Sequence, residues 1–189
     1  MIELTDADEI GSSTAARSDA GPHVTVDVVA EDACWTGAVP GVEPLVRRAV
    51  AAALAESTSG SPLALTVVLG DAARVRALNR TWRGIDRATN VLSFPARELC
   101  PGRPLEPAPG QPPGEPIELG DVVLARETVL AEAADEIKAP GDHVAHLVVH
   151  GVLHLLGHDH DDGVAAERME ALERRILSGL GIADPYAEV

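Results

Sequence analysis

Three histidines are the residues best placed to do chemistry in this chain. They fall in the run His150-Gly-Val-Leu-His154-Leu-Leu-Gly157-His158-Asp159-His160. On a helix, residues four apart project from one face, so His150 and His154 can point their imidazoles at a single ion. Gly157 tolerates the left-handed conformation that ends helices, and the chain can turn there to deliver His160 as a third ligand. Three protein ligands and an open position are the usual plan of a catalytic zinc site; a structural site closes the fourth position, often with cysteine. No cysteine is near. Three imidazoles suit Zn2+, one ion per chain, although nickel, copper or iron also accept such ligands.

The neighbouring residues are less decisive. His146 lies one turn before His150 and reads equally as a core residue or as a group beside the metal. His143, near the helix start, is expected on the surface. His158 competes with His160 as third ligand, and Asp159 and Asp161 can orient ligands or form a solvated acidic turn. One absence is informative. Metalloproteases carry their general base in His-Glu-x-x-His, and the extended metzincin form adds a Gly and a third His at the spacing found here. This chain has Gly151 where that Glu belongs. The spacing predicts a metzincin-like metal site without the protease base, which turns the expectation away from peptide hydrolysis.

The elements that must position these residues are read from periodicity. His23 to Ala30 alternates as a strand, and Leu63 to Leu69 reads as a second, more buried one. Glu43 to Glu56 reads as a helix with Pro44 in its first turn. Asp71 can cap a helix that turns Val75, Leu78 and Trp82 to one face. Asn90 to Phe94 and Leu119 to Ala125 read as strands, Thr128 to Ile137 and Asp142 to Leu156 as helices. Met169, Leu172, Ile176 and Leu180 mark an amphipathic helix with Glu170 and Arg174 paired across one turn. Residues 100–118 hold seven of the fourteen prolines and form an irregular loop. Residues 1–21 are polar, lack an apolar period and read as a disordered tail. The remainder, 22–189, reads as one domain. The expected class is α+β, a small mixed β-sheet packed with helices, one of which binds metal; strand order is not readable.

Composition narrows the function further. No run is apolar enough to cross a bilayer, and the acidic start, Met1 to Ile10, lacks the plan of a signal peptide. Both point to a cytoplasmic protein. Cys34 and Cys100 form no metal-binding cluster and are expected as buried or partly buried free thiols. The formal net charge of −15 opposes nonspecific nucleic-acid binding. Yet between Asp71 and Arg97 six arginines (Arg74, Arg76, Arg80, Arg83, Arg87, Arg97) face only Asp71 and Asp86. With two Trp, one Phe and one Tyr in the chain, broad base stacking is not expected to drive binding.

Two long motifs in order complete the reading. Leu78-Asn-Arg-Thr-Trp-Arg83-Gly-Ile-Asp-Arg-Ala-Thr-Asn-Val-Leu-Ser-Phe-Pro95 and the histidine run, with Leu119-Gly-Asp-Val-Val-Leu124 between them and Gly181-Ile-Ala-Asp-Pro-Tyr186 at the end, resemble the YbeY family of bacterial endoribonucleases. The likeness spans roughly 23–186. It departs at His158, where Tyr is usual, at Ile85 and Ala88, where Lys is common, and in a longer proline-rich loop and an extra N-terminal tail. The resemblance implies a single-strand-specific, metal-dependent endoribonuclease that matures ribosomal RNA at the 16S 3′ end and acts in ribosome assembly. It implies His150, His154 and His160 as metal ligands, with His150 and Arg83 in the catalytic set. It implies single-stranded rRNA precursor as substrate, with the small ribosomal subunit, a small-subunit ribosomal protein and an Era-type GTPase as partners. Zinc brings the pKa of water toward about 7 and polarises a phosphoryl oxygen, and an Arg offers a planar fork of donors to the charge that builds there. Whether water or the ribose 2′-hydroxyl attacks is left open. Two other readings stand beside this one: a noncatalytic ribosome-assembly factor with a structural metal, and a metallopeptidase.

Overall fold

A computed structural model describes residues 23–160 and 162–187. The expected tail at 1–21 and Asp161 lie outside the described residues.

The centre is a four-stranded mixed sheet in the order β1-β2-β4-β3: β1 (Val24–Ala30), β2 (Leu63–Gly70), β3 (Val91–Pro95) and β4 (Ile117–Ala125). β1, β2 and β4 are parallel, and β3 runs antiparallel along β4 as an edge strand. Parallel strands buried on both faces need nearly continuous apolar runs, and Leu-Ala-Leu-Thr-Val-Val-Leu-Gly of β2 is one. Successive residues turn to opposite faces. Leu65, Val67, Val122 and Leu124 join the main core beneath α2 (Val42–Leu54) and α5 (Pro140–Leu155). Val68, Leu92, Val123 and Phe94 instead meet Val75 and Leu78 of α3 (Ala72–Arg83). α4 (Arg126–Asp135) borders α5, and α6 (Gly163–Gly179) packs on its far side. The mixed α+β class and the expected elements are therefore found. A four-residue helix, α1 (Trp35–Ala38), adds to them; it buries Trp35, whose indole N–H donates to Gly70 O at 2.9 Å.

Local sequence explains the helix ends. Asp71 accepts from Arg74 N at 2.7 Å and Asp162 accepts from Ala165 N at 2.8 Å, the N-cap bonds that satisfy orphan donors. Pro140 opens α5, where its missing N–H is harmless.

Three expectations are corrected. Trp82 is not buried beside Val75 and Leu78: it stands on the last turn of α3, is 71% exposed and touches Phe94 edge-on. His143 is buried rather than on the surface. α5 begins three residues before it, and its Nε2 lies 3.0 Å from Glu132 Oε2 of α4. Cys34 and Cys100 are both exposed, one in the turn before α1 and the other at the start of the proline-rich loop. Among the described residues no helix is long and apolar enough to cross a membrane.

Candidate metal centre

α5 and the turn that follows it bring the three predicted histidines together. Each of His150, His154 and His160 offers a ring nitrogen, and these atoms lie within 4.8 Å of one another. His150 and His154 are partly buried, and His160 is exposed. The turn depends on Gly157, which has φ +87°. A Cβ there would sit 2.1 Å from Leu99 O, so only glycine permits both the left-handed backbone and this contact.

The hydrogen bonds around the pair fix its tautomers. His150 Nδ1 lies 2.8 Å from Glu173 Oε1, and His154 Nδ1 lies 2.9 Å from the His158 carbonyl. A carbonyl only accepts, and so does an ionised carboxylate, so both Nδ1 atoms carry hydrogen. With both rings neutral, as metal ligands must be, the two Nε2 atoms carry lone pairs that face each other at 3.1 Å. Two lone pairs at that distance repel unless a cation lies between them. Zinc–nitrogen bonds of 2.0–2.1 Å at tetrahedral angles place ligand nitrogens about 3.3 Å apart. The residues thus fit a tetrahedral ion. Burial, with His150 and His160 close by, holds His154 down to about 4, against the weaker opposing pull of its bond to the His158 carbonyl. At neutral pH it is already in the uncharged form that a metal requires.

Glu173 is the residue that sequence reasoning missed. It is fully buried on α6, and burial alone would raise its carboxyl. Hydrogen bonds with His146, His150 and Tyr186 together outweigh that and bring it down to about 2. His146 Nε2 lies 3.1 Å from Oε2, and the Tyr186 hydroxyl donates to the same oxygen. Burial and this carboxylate push the Tyr186 hydroxyl up, so it remains a donor. The signal was present in the spacing. Glu173 stands four residues after Met169 and three before Ile176, inside the apolar stripe of α6, where a solvated Glu does not belong.

The other candidates separate clearly. His146 belongs to this network and is not among the clustered ring nitrogens. His158 contributes its carbonyl, while its residue lines a different cleft with Cys100, Arg103 and Leu105. The Asp159 carboxylate accepts from His160 N at 2.7 Å and partly offsets the lowering of His154. Arg83 ends α3 and has no side-chain hydrogen bond or ion pair among the described residues, so it is not tied to the histidines. Edge strand β3 lies between them: Ser93 Oγ donates to Gly151 O at 3.2 Å, and Phe94 meets Trp82 on the other face.

Gly151 proves to be more than a missing base. A Cβ there would sit 2.6 Å from Val122 Cγ1 and 3.2 Å from Ser93 Oγ. Glycine lets α5 press onto β4 and β3, and a Glu at this position would start inside the sheet packing.

The family model described as Endoribonuclease YbeY matches residues 36–181. The Endoribonuclease YbeY of Rhodospirillum rubrum is 54% identical over 161 residues, 82% of this chain and 77% of that protein. That of Azorhizobium caulinodans is 51% identical over 166 residues, 86% of this chain and 96% of that protein. A solution structure of a Thermotoga maritima protein is similar at 18% identity and a TM-score of 0.47, covering 87% of this chain and all of that one.

Proposed function

Because the chain belongs to the YbeY family of endoribonucleases, we propose that it cuts single-stranded RNA with a metal ion held by His150, His154 and His160. The observation that carries this is the facing pair of Nε2 lone pairs, 3.1 Å apart, with both Nδ1 atoms committed as donors. Three imidazoles and no thiolate favour zinc over softer-ligand metals. Bound there, the ion supplies Lewis-acid polarisation of a phosphoryl oxygen and an acidified water.

The chain's own groups do the rest. Glu173 and the His158 carbonyl hold His150 and His154 in the ligating tautomer. Arg83, with no carboxylate partner among the described residues, donates to the phosphoryl oxygens on which charge builds. The substrate is precursor ribosomal RNA, with 16S 3′-end processing as the reaction. The partners are the small subunit, one of its proteins and an Era-type GTPase, and the setting is the cytoplasm. Residues 22–189 act as one catalytic unit. The peptidase reading loses its remaining support at Gly151, where the base could not be restored without displacing Val122.

The test is cleavage of a labelled single-stranded RNA by wild type beside His150→Ala, purified identically. Wild type cuts and the variant does not. Equal cutting by both identifies a contaminating nuclease, and silence of both, with metal and small subunit supplied, favours a noncatalytic assembly factor.

A further inference from the structure

The end of α3 gathers three exposed arginines around one exposed indole. Both carboxylates of this segment are engaged. Asp71 caps the helix, and Asp86 pairs with Arg76 at 2.8 and 2.9 Å. Arg80, Arg83 and Arg87 have no side-chain hydrogen bond or ion pair among the described residues. The loop after Gly84 folds back on the helix. Asn79 Nδ2 donates to Arg87 O at 2.8 Å, and Ile85 N donates to Asn79 O at 3.3 Å, which keeps Arg87 at the same end as Arg80 and Arg83. Among them Trp82 is 71% exposed, meeting Phe94 at 6.2 Å and 62°. Beside it Ile85 is also exposed.

An exposed Trp must be accounted for, since burying an indole is favourable. Three exposed guanidinium groups with no carboxylate in hydrogen-bond contact among the described residues are complementary to a polyanion, even on a chain of net charge −15. A base stacked on an aromatic ring with arginines on the phosphates is the way single-stranded nucleic acid is held. In a duplex the base faces are already stacked on each other and closed to a side chain. We propose that Trp82 stacks on a base of single-stranded RNA while Arg80 and Arg87 hold flanking phosphates. This end of α3 then grips the strand that crosses edge strand β3 toward the histidine cluster. The proposal rests on the ribonuclease reading and adds the group that selects an unpaired strand. A single indole does this, consistent with the few aromatics in the chain.

The chain itself supplies the probe, because it has two tryptophans and Trp35 is fully buried. Quenching of indole emission by acrylamide therefore reports on Trp82. The metal-loaded full chain is mixed by stopped flow with an end-labelled single-stranded RNA, and indole emission and label anisotropy are read before cleavage. Emission is quenched as anisotropy rises, acrylamide loses access, and a fully paired duplex of the same sequence gives neither change. Trp82→Ala weakens binding about tenfold and Trp82→Phe much less, since phenyl still stacks. RNA binding with unchanged indole emission overturns the proposal, as does wild-type affinity in Trp82→Ala; a protein partner is then the remaining occupant. Equal quenching by duplex overturns the strand selection. No anisotropy change at low salt overturns the ribonuclease reading, and this proposal with it.

Discussion

Around His150 and His154 the protein holds its ionisable groups rigidly. Glu173 is fully buried and shares its two oxygens among His146, His150 and Tyr186, and a carbonyl fixes His154. At the end of α3 the arginines are exposed and have no side-chain hydrogen bond among the described residues, while the backbone beneath them is held by Asn79. The contrast follows from the ligand each region suits. A metal accepts ligand atoms only within tenths of an ångström, so its ligands are oriented before it arrives. A polyanion is attracted over about a Debye length, roughly 8 Å at physiological salt, and its backbone adapts on contact.

The two regions can therefore be broken separately. The largest effect comes from chelation: removing the metal abolishes RNA cleavage while RNA binding, followed by label anisotropy, persists. Loss of both would show one site rather than two. Next, Arg83→Ala lowers kcat by about 10²–10³ with unchanged metal affinity. A fall in zinc affinity, read by chelator competition, would move Arg83 into the metal centre. Glu173→Gln does the reverse, weakening metal binding by roughly 10–100-fold and leaving RNA affinity intact.

The same residue gives a pH signature in the metal-free chain. Its carboxyl lies near 2 when folded, below its ordinary value of about 4.3. Its stabilisation, on the order of 3 kcal/mol, is fully present above about pH 4.3 and lost as pH falls toward 2. Acid unfolding of wild type is steeper across that window than that of Glu173→Gln, and parallel curves would contradict the assignment. The smallest effect is electrostatic: Arg80→Ala reduces the slope of log affinity against log salt by about 0.7, one phosphate of a single strand.

The clustering of His150, His154 and His160 was legible in the sequence because a helix converts a spacing of four into one face, and because Gly157 marks where the chain turns back. The elements were legible from their periods. The groups that orient the ligands were not. Glu173 and Tyr186 reach His146 across 27 and 40 positions respectively, and no local pattern carries such a pairing. His143 was misplaced for the same reason, since its partner Glu132 lies on another helix. The exposure of Trp82 was not legible either, because periodicity says which face a residue takes but not how deeply it is covered there. Strand order depends on pairing between distant segments and was likewise out of reach.

The order of these parts along the chain has a consequence for biosynthesis. The arginine-bearing end of α3 lies at 80–87, whereas the metal centre draws on residues from His146 to Tyr186. At elongation rates of roughly 5–20 residues per second, the surface suited to RNA leaves the ribosome seconds before the groups that complete the cutting centre. The order of synthesis thus places the groups that orient the clustered histidines, Glu173 and Tyr186, last.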